Sequence, residues 1–135
     1  MSIVIDSSIT LAWSFDDERN ARTDHVLDIV VADGAWVPAI WRPEVANGLQ
    51  QGVKRRRIDL NGRDEAIADL SKLNIAIDPD TNAFAWSKTI ELADQFGLTL
   101  YDASYLELAQ RRGLPLATLD QELRTAGRKL GVPLL

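Results

Sequence analysis

Short apolar runs alternate with amphipathic stretches along the chain. Ser2–Ile5 is a β-branched apolar run halted by Asp6-Ser7-Ser8, the pattern of a fully buried strand. A helical segment continues through Trp13. A second spans Glu18 to Val31, where Ala21, Val26, Leu27, Val30 and Val31 form a stripe, and Asp33-Gly34 closes it. Trp36–Ile40 is a further apolar run, and Pro38 within it predicts a sheet edge or a strand end. A helix opens at Pro43, a residue tolerated in a first turn, with Val45, Leu49 and Val53 on one face. It ends in the basic run Lys54–Arg57. Asn61 is the expected cap of the next helix, which carries Ile67, Leu70 and Leu73 on one face.

Ile75–Ile77 reads as a strand and Asp78-Pro79-Asp80 as a turn. Thr81 is expected to cap a long helix with Trp86, Ile90 and Ala93 inward, stopped by Gly97. Leu98–Tyr101 reads as a strand leading into a helix from Asp102 to Arg112, which Gly113 ends. Leu114–Leu119 is a strand, Asp120–Leu130 a helix and Val132–Leu135 a last strand. Strands alternating with helices predict a parallel sheet covered on both faces. With no linker, repeat or low-complexity tract, residues 1–135 are read as a single domain of the α/β class.

A chain of 135 residues, 46% hydrophobic, can bury roughly two thirds of its unfolded surface. The absence of cysteine excludes a disulfide scaffold, thiolate zinc sites and cysteine nucleophiles. His25 is the one histidine, and its place inside a predicted helix favours a surface or boundary role over catalysis. No apolar run reaches the ~18 residues of a membrane helix. Met1–Asp6 has neither the basic start nor the apolar core of a signal peptide, so a cytoplasmic protein without membrane contact is expected. Twenty acidic against fifteen basic side chains give a formal charge of -5. Taken alone, that argues against non-specific nucleic-acid binding, which depends on basic surface.

The acids are not scattered at random. Asp6, Glu44, Asp102 and Asp120 each follow a predicted strand and open a helix. Singly, each has a bland explanation as a helix cap or a first-turn acid. Jointly, strand-to-helix turns of a parallel sheet share one edge, where ligand sites form. Two like charges about 5 Å apart repel by roughly 3 kcal/mol at an effective dielectric of about 20. Four acids gathered there need protons or cations, and oxygen ligands without His or Cys suit Mg²⁺ or Mn²⁺. Raised, coupled carboxylate pKa values are expected without metal. Paired ions of this kind activate water against a phosphodiester, with no need of a histidine base.

Ile3-Val-Ile-Asp6-Ser-Ser8, Pro38-Ala-Ile-Trp-Arg-Pro-Glu44-Val-Ala-Asn47, Leu100-Tyr-Asp102-Ala-Ser-Tyr-Leu106 and Leu116-Ala-Thr118-Leu-Asp120 stand in the order and spacing of PIN-domain ribonucleases. With Leu130-Gly-Val-Pro133 at the end, the chain resembles the VapC-type toxins of prokaryotic toxin–antitoxin pairs. The resemblance covers essentially the whole chain. It implies a three-layer α/β/α sandwich with a central, mainly parallel sheet, and metal-dependent endoribonuclease activity on RNA. It also implies a cognate VapB-like antitoxin at the active groove and a homodimer. Residue by residue, Asp6, Glu44, Asp102 and Asp120 match the family's metal-binding acids. Ser8 and Thr118 match small hydroxyl residues that could support them, and Glu122 is a possible accessory acid.

Other readings of these residues fare worse. Haloacid-dehalogenase phosphatases need a second Asp where Ser8 stands, receiver domains need a strand-end Lys, and no phosphate-cradling glycine loop is present. A non-catalytic PIN-like binding module and an RNA-maturation nuclease remain as alternatives. Lys54, Arg55, Arg56 and Arg57 could steer RNA or meet an acidic partner, or simply complement a helix C-terminus. Among the four tryptophans, Trp13 and Trp41 lie nearest the acidic motifs and are the better candidates for RNA or partner contact, although core packing is the commoner fate of tryptophan. Arg111 and Arg112 read as a helix C-terminal pair.

Overall fold

The computed structural model describes residues 2–135. Four short strands, β1 (Ile3–Ile5), β2 (Ala35–Val37), β3 (Ile75–Ile77) and β4 (Leu116–Ala117), form one parallel sheet in the order β3-β2-β1-β4. Val4 is in register with Trp36 on one side and Leu116 on the other. β1 is therefore paired along both edges, and its three apolar residues are buried, as a parallel strand covered on both faces requires.

Several boundaries differ from expectation. Of the two readings of Pro38 the strand end holds: β2 stops at Val37, because proline offers no N–H to a ladder, and the strand lies inside the sheet, not at its edge. The strand expected over Leu114–Leu119 narrows to the two residues of β4, and Val132–Leu135 supplies a single bridge, Leu134 to Leu116. Leu98–Tyr101 is not a strand. Thr99 Oγ1 accepts the Asp102 N–H and caps a helix that begins at Leu100.

The helices are α1 (Ser7–Ser14), α2 (Ala21–Asp33), α3 (Trp41–Lys54), α4 (Leu60–Ser71), α5 (Thr81–Phe84), α6 (Lys88–Phe96), α7 (Leu100–Arg112) and α8 (Gln121–Leu130). Right-handed crossovers carry α1–α4 over one face of the sheet and α5–α8 over the other, which completes an α/β/α sandwich. In keeping with this, α1 packs on α2 and α3, whereas α7 packs on β1, β4, α6 and α8. None of the described helices is long and apolar enough to cross a membrane.

Caps explain the remaining shifts. The helix expected from Glu18 is a 3₁₀ turn, Asp16–Glu18, followed by α2, where Asn20 and Thr23 exchange side-chain and backbone hydrogen bonds. Asp59, not Asn61, caps α4 by accepting the Gly62 N–H at 2.7 Å. The long helix expected from Thr81 to Gly97 breaks between Phe84 and Lys88, where Ser87 leaves the helical region at φ -124° and ψ -95°. Trp86 and Ile90 consequently face outward, Trp86 with 91% of its surface exposed. Thr81 caps nothing; its hydroxyl accepts the Ala39 N–H and donates to Asp78.

Arg111 and Arg112 do more than complement a helix end. Both reach the buried Asp78, just past β3, at 2.6 and 3.1 Å, and Arg111 also holds Glu107 at 2.8 Å. Burial pushes the Asp78 carboxyl up, but the two guanidinium groups prevail and hold it below its ordinary value. Arg112 further stacks over Trp36, 3.6 Å from the ring centre.

Close approach of α3 to α1 depends on two glycines. A Cβ on Gly48 would stand 2.4 Å from Leu11 Cδ1, and one on Gly52 would stand 2.7 Å from the Phe15 ring. Alanine at Gly52 gains about 1 kcal/mol of helix propensity but forces a stiff ring to move, at a cost of about 1–3 kcal/mol. Gly52→Ala should therefore leave the protein no more stable than wild type, and up to about 2 kcal/mol less so, in urea denaturation. A clear gain in stability would mean that the α1–α3 contact is looser than described.

Candidate active site

Asp6 ends β1 and caps α1, so one residue terminates a strand and starts a helix. Its Oδ1 accepts from the Ile9 N–H at 3.1 Å and from Ser8 Oγ at 2.6 Å, and its Oδ2 accepts from Thr118 Oγ1. The same two hydroxyls accept backbone N–H groups in turn, Ser8 from Leu119 and Thr118 from Asp120, each at 3.0 Å. Each hydroxyl thus works as a relay between the buried carboxylate and the β4–α8 loop. Asp120 stands at the end of that loop, where its Oδ1 caps α8 by accepting the Leu123 N–H at 2.9 Å.

Glu44 sits in the first turn of α3, and its Oε1 accepts from the hydroxyl of Tyr105 on α7. Thr10 of α1 accepts from Trp41 Nε1 at 3.0 Å, which fixes the start of α3. Asp102 lies in the first turn of α7. Sequence reasoning missed Tyr105 and Thr10. Tyr105 was within reach of it: three residues after Asp102, it shares a helix face with that acid.

Asp102 is the common electrical neighbour of the other acids: its charge reaches Asp6 and Glu44, and those of Asp120 and Glu122 reach it. Burial raises the Asp6 carboxyl to about 6, against the pull of its hydrogen bonds and with help from the Asp102 charge. Glu44 is raised by burial and then by Asp102. Asp102 is raised by burial and then by the charges of Asp120 and Glu122. Burial and the Glu44 contact hold the Tyr105 hydroxyl far above its ordinary value, so it donates and stays neutral.

Among the described residues, no three acidic or histidine side chains form a ready-made coordination shell. Asp6 is turned to its donors, Glu44 to Tyr105 and Asp120 to its cap. The donor set nevertheless fits Mg²⁺ or Mn²⁺. Every candidate ligand is a hard oxygen, the carboxyls repel one another, and Mg²⁺ usually binds through only one or two carboxylates while keeping its water.

The other singled-out residues lie elsewhere. Lys54, Arg55 and Arg56 are exposed at the far end of α3, about 15 Å along the helix from Glu44. Arg57 is tied to Asp17 and Glu18 at 2.9 Å and stacks on Phe15. Trp13 donates to the Thr23 carbonyl at 2.8 Å, and Trp41 is 5% exposed. Both indole N–H groups are therefore spent on packing. His25 is exposed on α2, far from any role in the acid cluster's hydrogen bonds.

The PIN domain family profile matches residues 3–129. The chain is 26% identical to a protein named Ribonuclease VapC3 of Pyrobaculum aerophilum, over 91% of this chain and 92% of that one. It superposes with a TM-score of 0.63 on Mycobacterium tuberculosis VapC20, described as a Sarcin-Ricin loop cleaving toxin, at 17% identity over 93% and 95% of the two chains. A toxin-antitoxin complex from Klebsiella pneumoniae gives a TM-score of 0.58 at 20% identity, over 87% and 86%. These likenesses agree with the observed sandwich.

The buried Asp6 carboxyl makes apo stability depend on pH. Between 3.8 and about 6 the unfolded chain releases this proton while the folded chain keeps it, so stability falls as pH rises through that window. The rise from 3.8 to about 6 sets an upper bound of about 3 kcal/mol. Asn cannot accept all the bonds that Asp6 accepts, so Asp6→Asn should stabilise the metal-free protein by about 1 kcal/mol near neutral pH. Below the unfolded-state value the gain should vanish. Thermal melts in EDTA at both pH values test this, and a variant that melts lower at neutral pH would refute it.

Proposed function

The chain belongs to the PIN domain family, and from that premise we propose that it is a metal-dependent endoribonuclease, the toxin of a toxin–antitoxin pair. The carrying observation is Asp102 lying within the fields of Asp6, Glu44, Asp120 and Glu122, a group of acids with neither His nor Cys among them. Such a site has little chemistry open to it except through hard cations, and phosphodiester hydrolysis is the reaction they serve best. The names of the similar proteins support RNA as substrate and an antitoxin as partner.

Asp6, Asp102 and Asp120 would hold Mg²⁺ or Mn²⁺, with Glu44 completing the site. When bound, the ions supply Lewis acidity at the phosphate and lower the pKa of water. The protein does the rest by position. Ser8, Thr118 and the Ile9 amide hold Asp6 against rotation, and the same hydroxyls hold the loop that presents Asp120. Tyr105 occupies Oε1 of Glu44 and leaves Oε2 to orient the attacking water and take its proton. The raised affinity of Glu44 for protons suits it to that step. Water as nucleophile leaves a 5′-phosphate and a 3′-hydroxyl.

An apolar groove of about 300 Å³ between α3 and α4, lined by Trp41, Val45, Ile67, Leu70 and Leu73, gives an antitoxin segment a place to dock beside the helix that carries Glu44. The exposed Trp86, Ile90, Leu100 and Tyr101 support a homodimer. A cytoplasmic location completes the reading.

Purified protein, freed of antitoxin, should cut total RNA with Mg²⁺ or Mn²⁺ and not with EDTA, and Asp102→Asn should abolish cutting. Fragments ending in 2′,3′-cyclic phosphate would refute the mechanism, since they imply attack by the ribose hydroxyl. No cutting by folded protein under either metal would favour a non-catalytic binding module.

Tyr105→Phe keeps the core but frees Glu44 from its anchor. Single-turnover cleavage should slow about tenfold, the worth of one hydrogen bond to a charged group, with the melting curve little changed. An unchanged rate would remove Tyr105 from the site.

A further inference from the structure

A cleft of about 380 Å³ opens between the end of α6 and α8, apart from the apolar groove beside α3. Its volume lies within the range of about 300–1,000 Å³ usual for small-ligand pockets. Both walls lead to the acids. On one side Gln121 and Glu122 line it, directly after Asp120, the cap of α8. On the other, the chain leaves Phe96, turns through Gly97 at φ +65° and reaches Thr99, whose hydroxyl caps the helix that carries Asp102. Glu122 belongs to both places, since it lines the cleft and its charge reaches Asp102.

The chemistry of the lining differs from that of the acids. Glu122, Thr125 and Lys129 follow one another at three- and four-residue steps, so they share a face of α8 and span about 10 Å along it. That face passes from a carboxylate through a hydroxyl to an ammonium as it leaves Asp120. Gln95 and Gln121 add one exposed primary amide from each wall, and each amide carries both donors and an acceptor. Among the described residues, no hydrogen bond or ion pair occupies these five side chains. Phe96 is half-buried against the core and completes the wall on the α6 side. Amides, a hydroxyl and an aromatic ring suit a flat heterocycle with donors and acceptors along its edge. A phosphate is opposed beside Glu122 and matched beside Lys129, which sets the order of base and phosphate along the cleft.

We propose that this cleft receives the nucleotide next to the scissile phosphate, with its base between Gln95 and Gln121 and its outer phosphate on Lys129. This role rests on the endoribonuclease reading and deepens it: the acids act on the phosphodiester, and the cleft selects where. An amide side chain can meet two edge atoms of a base at once, so one base is preferred at that position.

The test is sequencing of the fragment ends left when total RNA is cut with Mg²⁺ or Mn²⁺. The unsubstituted chain should show one base enriched at one position flanking the cuts. Gln95→Ala with Gln121→Ala, both at exposed positions, should lower that enrichment about tenfold and leave preferences at other positions in place. In an Asp102→Asn background, where the strand stays whole, anisotropy of a labelled oligomer of the preferred sequence gives a second readout. There Thr125→Trp, which fills the cleft, should weaken binding about tenfold with the melting curve unmoved. Lys129→Gln should lower the slope of log affinity against log salt by about 0.7. A base profile unchanged in the double variant, or no preference in the unsubstituted chain, would overturn the cleft's role while cutting still stood. A profile that flattens at every position alike would overturn it as well, since the amides would then act on the strand in general. An unchanged salt slope would overturn the placement of the phosphate on Lys129. Failure of the unsubstituted chain to cut RNA with either metal would instead bring down the underlying reading, and the cleft's role with it.

Discussion

A carboxylate buried at the end of a central strand is the constraint around which this molecule is arranged. Asp6 has almost no access to water, and an ionised group there must find its solvation in the protein. It does so through the Ile9 amide, Ser8 and Thr118. Because the two hydroxyls also accept the amides of Leu119 and Asp120, solvating one carboxylate locks β1, α1 and the β4–α8 loop into a single geometry. The donors still fall short: burial wins, and the group keeps its proton to about 6. The site is thus rigid in position and unsatisfied in charge, a combination suited to a cation that arrives from outside.

α7 transmits that order across the molecule. Its residues from Ala103 to Ala109 are all buried, so its position is set by the core. Its first turn carries Asp102, the next carries Tyr105 to Glu44, and the last carries Arg112 and Arg111, the latter also paired with Glu107, to Asp78. The two ends treat the same kind of group in opposite ways. At one end burial and neighbouring carboxylates raise Asp102 and Glu44, with only neutral hydroxyls to oppose them. At the other, two guanidinium groups hold Asp78 down and ionised. Structural ion pairs can thus carry stability at one end of the helix while the other end remains strained for function.

The sequence made the alternation of elements and the set of four acids legible, because both rest on local signals: apolar period and cap chemistry. Asp6, Asp102 and Asp120 stood out as helix-opening acids, and that is where they lie. What local signals misjudged depended on competition between caps. Thr99 overrode an apolar run that reads as a strand, Asp59 displaced Asn61, and Ser87 broke a stripe that otherwise reads as one helix. The pairings across the fold were out of reach, even where a residue itself, as Tyr105, shares a helix face with an acid. Nothing near Glu44 announces Tyr105, 61 positions away, and nothing near Asp78 announces Arg111 and Arg112. Trp13 and Trp41 were ranked by distance along the chain from the acids, whereas their fate was decided by hydrogen-bond partners on neighbouring helices.

The acidic composition that at first argues against a nucleic-acid ligand weakens once its placement is known. Much of the negative charge is either paired with arginine, as at Asp17, Asp24 and Asp78, or concentrated around Asp102. The first kind is locally cancelled. The second is the part that bound cations would neutralise, each bringing about +2 to the point where a phosphate must approach. Without cations the site repels a polyanion, and with the proposed ions bound it would present a far weaker barrier. Fields fall off within about 10 Å at ordinary salt, so an RNA strand senses the charges nearest to it and not the sum over the chain. For this fold, where several helix-opening acids share one electrical neighbourhood, the distribution of charge carries the information that net charge lacks.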